Sequence, residues 1–203
     1  YKLRIKVCDS SVNLEANCKS YSDGNDTTYK PIGLIQENAE NRRFALSSYL
    51  KANYVKKHGG VMRTLMKYVG LKMPDGNGSP IDNPNAEWNE RGILKDDPDG
   101  VSTANPNSIP SGDRKNSMDW NNGDGVSYSG IVNYLNKFQK EHGYKSIDPV
   151  AELFYESLHY YRGQGIANPG PTTDFLPADA AEKGNFPAFS TWDDPITASC
   201  QQN

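Results

Sequence analysis

The sequence predicts an α/β fold interrupted by a long irregular insertion. Three observations lead there. Short stretches in the first third alternate apolar and polar residues with the period of two that marks a half-buried strand. Two later stretches repeat apolar residues at helical spacing. Between them, Met73 to Gly125 is dense in Asp, Asn, Gly, Pro and Ser and has few periodic apolar positions, and long loops of that kind inside a domain are usually functional or mobile.

The elements follow in chain order. In YKLRIKVC, Tyr1, Leu3, Ile5 and Val7 fall on one face and Lys2, Arg4 and Lys6 on the other, so the opening reads as an edge strand whose charged side discourages stray pairing. YSDGNDTTYKP is turn chemistry and reads as a connector. Ile32 to Ala39 reads as a short helix with Pro31 at its start, and Arg43 to Leu50 (RFALSSYL) as a buried strand. After the Gly59-Gly60 turn, Val61 to Val69 alternates again, with Met62, Thr64, Met66 and Tyr68 opposed to Arg63, Leu65 and Lys67. A helix is expected over Ser129 to Glu141, with Ile131, Leu135 and Phe138 on one stripe and Gly143 as its stop. The next is the best specified: Asp148 as N-cap, Pro149 at the first helical position, then Val150, Leu153, Phe154, Leu158 and Tyr161 as a stripe that should pack into the core. Gly163 to Asn203 is rich in Pro and Gly. The chain therefore divides into 1–72 (strands, a helix and a cysteine loop), 73–125 (the insertion) and 126–203 (the helical part and a tail).

Composition sets the outer bounds. A chain of 203 residues suits one domain, burying roughly 70% of the surface its unfolded form exposes. Its hydrophobic fraction is 35% even with 12 Tyr counted, so it is loop-heavy. A net charge of -3, with Lys and Arg scattered, gives no electrostatic reason to expect nucleic acid or an anionic membrane as partner. No apolar run reaches the ~18 residues needed for a membrane span. Of the 3 cysteines, Cys8 and Cys18 would close a short loop as a disulfide, which implies an oxidising compartment. Two free thiols are the other reading, but the intervening DSSVNLEAN is polar, whereas unpaired buried cysteines favour apolar surroundings. Cys200 is then left over. CxxCH is absent, so covalent haem is not expected.

The insertion offers hard oxygen ligands. DDPDG, with Asp97 and Asp99, and DWNNGDG, with Asp119 and Asp124, resemble the start of calcium loops, and calcium or magnesium is a candidate cofactor. The register is not that of an EF-hand, because counting from Asp119 places Gly123 fifth and Gly130 twelfth. Asx-turns without an ion are the plainer reading of both strings. Catalytic signals are weaker. His58, His142 and His159 sit in unrelated contexts without HExxH, and neither a nucleophile elbow nor a phosphate loop is present. A carboxylate pair of the glycosidase kind stays formally open among 25 acidic residues. The sequons at Asn25 and Asn77 carry no weight.

Four blocks, KVCDSSVNLEANCKSY, YKPIGLIQENAENRRFALSSYL with GGVMRTLMKYVG, YKSIDPVAELFYESLHYYRG and FPAFSTWDDPITASCQQN, resemble the PilY1-type (PilC-like) tip-associated adhesins of type IV pili, in the order that family has them. The resemblance implies an internal segment of an N-terminal von Willebrand factor A-like domain, thus a partial three-layer α/β fold with RFALSSYL as a central strand. It places Asp148 where the helix of ordinary domains of that type starts with a metal-contacting threonine; a plain N-cap before proline is the other reading of Asp148. The family's DxSxS motif would precede Tyr1 and its next aspartate-bearing strand would follow Asn203, so the metal site would be incomplete in this chain alone. The abrupt opening then reads as the start of an interior slice of a larger exported protein, with Cys8 and Cys18 as the family's VC…NC pair.

The function implied is non-enzymatic: pilus biogenesis and adhesion, secreted to the pilus tip or cell surface. Minor pilins and the rest of the same polypeptide would be its partners, with a surface or host ligand beyond them. The alternatives are a structural subunit polymerising through open sheet edges and, less favoured, the carboxylate-pair glycosidase.

Overall fold

The computed structural model describes residues 5–49, 60–101, 128–137, 150–164 and 186–189. It divides into a first unit of Tyr1–Arg43 with Lys67–Lys95 and a second of Phe44–Met66 with Asp96–Asn203. Helices and strands are mixed, and among the described residues the strands form three two-stranded sheets.

The first unit is built from two hairpins. β1 (Cys18–Ser22) pairs antiparallel with β2 (Thr27–Pro31), so the stretch expected to be a connector is sheet on either side of a tight turn. That turn is shaped by Asp23, whose Oδ1 accepts the backbone N–H of Asn25 at 2.9 Å and of Asp26 at 2.8 Å, with Gly24 at φ 90°. Arg91 clamps it from outside, 3.0 Å from Asp26, while the Thr28 hydroxyl donates to the Arg91 carbonyl at 2.7 Å. β5 (Lys72–Pro74) and β6 (Pro80–Asp82) form the second hairpin, inside the stretch expected to lack regular elements. Asp75 caps its turn as Asp23 does, accepting from Asn77 and Ser79. Asn83 then ties the chain back, donating to the carbonyls of Tyr68 and Gly70 at 2.9 and 2.7 Å. Tyr21, Ala39, Val69, Ala86 and Trp88 are the buried apolar residues of this unit's interior.

Two expectations for this unit are corrected. Ile5 to Val7 is not strand: Ile5 is 75% exposed and Val7 50%, and among the described residues no strand pairs with them. The chain turns there instead, with Lys6 bridging to Asp9 at 2.7 Å and Cys8 at φ 54°. Residues 1–4 lie outside the described set. The helix expected over Ile32 to Ala39 shrinks to α1 (Leu34–Glu37), which buries none of its residues, because Pro31 is used to end β2.

In the second unit β3 (Phe44–Tyr49) pairs with β4 (Gly60–Lys67), close to the strands read from the sequence. α2 (Ile131–Lys137) and α3 (Val150–Tyr161) both pack against β3. β4 was expected to alternate, yet Val61, Met62, Arg63 and Thr64 are all buried, so both of its faces are covered at that end. Arg63 explains how a charge fits there. Its Nε donates to Ser48 Oγ at 2.7 Å, and its two terminal nitrogens donate to the carbonyls of Pro187 and Tyr49, each at 3.1 Å. Its guanidinium carbon lies 5.5 Å from the centre of the Tyr134 ring.

α3 turns its expected stripe the other way. Glu156 and Tyr160 are buried, whereas Val150, Phe154, Leu158 and Tyr161 are exposed, Phe154 at 63%. Polar anchoring sets this orientation: Ser157 and Ser47 hydroxyls meet at 2.9 Å, and the Met66 N–H donates to the Tyr160 hydroxyl at 2.6 Å. Edge-on packing of Tyr134 against Phe186, with ring centres 5.0 Å apart, closes the core beside α2.

Replacing Arg63 by Met keeps an apolar stem but removes the donors to Ser48 Oγ and to the Pro187 and Tyr49 carbonyls, and a buried acceptor left without a partner costs about 1–3 kcal/mol. The Arg63→Met chain should unfold at a clearly lower urea concentration with an unchanged slope, and Arg63→Lys should recover only part of the loss, since one ammonium cannot span the three oxygens.

Candidate functional site

Two of the residues singled out as metal ligands, Asp97 and Asp99, come together with the start of α2. The DDPDG loop and Ser129-Gly130 interlock. Ser129 Oγ donates to Asp97 Oδ1 at 2.6 Å and accepts the Asp99 N–H at 2.9 Å, while the Gly130 N–H donates to Asp99 Oδ2 at 3.1 Å. The Asp96 carbonyl takes the Ser129 N–H at 3.0 Å and the Asn133 amide at 3.2 Å. Ser129 is fully buried. The Thr64 hydroxyl lies at 3.5 Å from Asp99 Oδ2, and the Val101 N–H donates to Asp97 Oδ1 at 3.1 Å, closing the loop around Gly100 at φ 65°.

The chemistry of this arrangement is capping. The first N–H groups of a helix lack partners within it, and a carboxylate there satisfies one and suits the positive end of the helix. Each of the two carboxylates thus spends one oxygen on amide or hydroxyl donors. A calcium site needs six to eight oxygens, and among the described residues no third carboxylate, imidazole or thiol converges with Asp97 and Asp99. Ser129, Gly130 and Thr64 were not singled out as functional from the sequence, although a Ser-Gly pair just ahead of an apolar stripe is an N-terminal helix signal that points at the first two.

The other cluster is the cysteine loop. Cys8 and Cys18 are disulfide-bonded, with Cα atoms 5.6 Å apart. Glu15 sits inside the ring: its Oε2 accepts the Cys8 N–H at 3.0 Å, which holds Cys8 in its left-handed backbone, and lies 3.2 Å from Cys18 Sγ. That second approach is a contact, since a disulfide sulfur carries no proton. Among the described residues, Cys8, Glu15 and Cys18 bring three metal-type ligand atoms within 4.8 Å of one another, but joined sulfurs offer no thiolate. Beside them, the Lys6 ammonium and the Ser11 N–H and hydroxyl hold the Asp9 carboxyl down at about 2.

Asp119, Asp124 and Asp148 lie outside the described residues, as do His58, His142 and Cys200. His159 is on α3, its ring centre 4.5 Å from that of Tyr155.

Removing the hydroxyl at Ser129 deletes both the cap donor and the acceptor for Asp99. Ser129→Ala should cost about 1–2 kcal/mol in urea unfolding and speed hydrogen exchange at the Gly130 amide, while leaving exchange in the β1–β2 hairpin unchanged.

No family model matches the chain, and no solved structure matches it. The chain is 38% identical over 209 aligned residues to the type IV pilus biogenesis factor PilY1 homolog of Xylella fastidiosa (strain Temecula1 / ATCC 700964), an alignment covering 99% of this chain and 16% of that protein. Over nearly its whole length, then, the chain is related to one stretch of a much longer PilY1-type pilus biogenesis factor.

Proposed function

We propose that this chain serves type IV pilus biogenesis and adhesion without catalysing a reaction, as a segment displayed at the cell surface or pilus tip that binds minor pilins and a surface or host ligand. The observation that carries the reading is the alignment itself, which runs through 99% of the chain and so takes in both units and the loops between their elements. A match of this extent relates the whole chain, and not a single motif, to that pilus biogenesis factor.

The Cys8–Cys18 bridge favours an oxidising location outside the cytoplasm. Among the described residues no helix is long and apolar enough to cross a membrane. On this reading β3 and α3 are the pieces that a von Willebrand factor A-like sheet and helix would use, with the remaining strands supplied by the rest of a longer polypeptide. Calcium or magnesium, if taken up at Asp97 and Asp99, would compete with the cap at Ser129 and Gly130 for the same oxygens.

The test uses the full-length protein in a piliated host. Excising the stretch that corresponds to this chain, with secreted levels checked by immunoblot, should reduce surface pili seen by electron microscopy or the number of cells attached to a surface. Wild-type piliation together with wild-type attachment would overturn the proposal.

A further inference from the structure

In the first unit, β1, the turn after α1 and the Trp88–Glu90 stretch line a cleft of about 220 Å³. Two of its lining residues, Tyr21 and Trp88, are buried aromatics, while Glu37 and Glu40 at and just after the end of α1 and Glu90 beyond β6 are exposed carboxylates around it. The lining holds one cation, Lys19, and its ammonium lies 5.7 Å from the centre of the Tyr21 ring. The Tyr21 ring is therefore already oriented to hold a cation.

The cleft is fixed by backbone that tolerates no side chain. Gly92, at φ 67°, sits so close to Tyr21 that a Cβ there would lie 2.9 Å from the ring. Gly70 donates its N–H to the Ala39 carbonyl at 3.1 Å, and a Cβ on it would meet Glu40 Cγ at 2.7 Å and Ala39 Cβ at 3.0 Å. Both the aromatic wall and the acidic turn are thus held by close backbone packing.

Size and charge select the ligand. Drug-sized ligands and short oligosaccharides need roughly 300–1,000 Å³, so this cleft has room for one side chain. Three carboxylates against one ammonium leave the lining acidic at the mouth of a cleft floored by two largely buried aromatic residues, with Lys72 acting on Glu40 from outside it. Anions are repelled, and a neutral sugar gains nothing from the charge. A cation on an aliphatic stem gains from both, because ring faces attract cations and apolar stems cover aromatic surface.

We propose that this cleft binds a lysine or arginine side chain presented by a partner protein, with the stem against Tyr21 and Trp88 and the charged head among Glu37, Glu40 and Glu90. This goes beyond the pilus role and does not rest on it.

The test is an NMR titration of the full chain with acetyl-Gly-Lys-Gly-amide and its arginine counterpart, run beside the same peptide acetylated on the lysine Nε and beside glucose. Saturable shifts should appear at Tyr21 and at the Trp88 indole N–H, weakening as salt is raised. A chain carrying Glu37→Gln, Glu40→Gln and Glu90→Gln, all at exposed positions, should keep its thermal midpoint and bind at least about tenfold more weakly. Lys19→Gln, which removes the resident cation, should tighten binding. The proposal is overturned by an absence of cleft shifts up to about 10 mM peptide, by equal binding of the acetylated peptide or of glucose, or by unchanged affinity in the triple variant.

Discussion

The buried guanidinium of Arg63 is the constraint on which the second unit depends. It lies in the middle of β4 with 2% exposure, and its N–H groups reach the end of β3 through Ser48 and Tyr49 and the 186–189 segment through Pro187. Tyr134 of α2 covers it from the side. Three separate segments are thus tied to β4 by one side chain. Desolvation pushes its pKa down from the ordinary value and contact with Tyr134 pushes it back up, but an arginine keeps its charge in proteins, so folding must satisfy it with oxygens. An apolar residue there would tolerate several alternative packings of these segments, whereas a planar donor fork accepts few. The buried charge thus favours one arrangement even where its net energy is small.

The first unit solves a different problem with a different device. Its interior is small, and its loops are long for the apolar surface available. Side-chain oxygens of Asp9, Asp23, Asp75, Asn83 and Asn89 each accept the backbone N–H two residues on, giving each of these turns its own local partner. At Asp23, Asp75 and Asn89 the same oxygen takes a second N–H further along. Much of the Asp and Asn of this unit thus organises backbone. Asp97 is one more instance, drawn into the start of a helix.

That difference explains what was legible in the sequence. β3, β4, α2 and α3 were readable because each carries a run of apolar residues long enough to show a period, and the pairing of Cys8 with Cys18 followed from a short polar loop. The hairpins β1–β2 and β5–β6 were not, since CKSYS and KMP have no alternation and owe their pairing to the capped turns between their strands. Ile5 and Val7 showed the opposite error, as a correct period with no partner strand among the described residues. For α3 the existence of a helix was legible and its buried face was not. Periodicity weighs hydrophobicity, whereas the docking contacts are Tyr160 and Ser157 hydroxyls, which a hydropathy count treats as surface. The roles of Asp97 and Asp99 depended on Ser129, distant in sequence, and no local pattern brings those residues together.

The same devices bear on function. Among the described residues, the acids and amides that shape the turns already hold backbone or hydroxyl partners, and such side chains fix the shape of a surface. What remains uncommitted is geometric: a cleft with two aromatic walls in the first unit and an exposed row of Val150, Phe154, Leu158 and Tyr161 on the second. The first is the proposed side-chain cleft, and the second offers apolar area. On the proposed reading, a segment that holds other proteins calls for surfaces of this kind, and the relationship to a pilus biogenesis factor runs through both units.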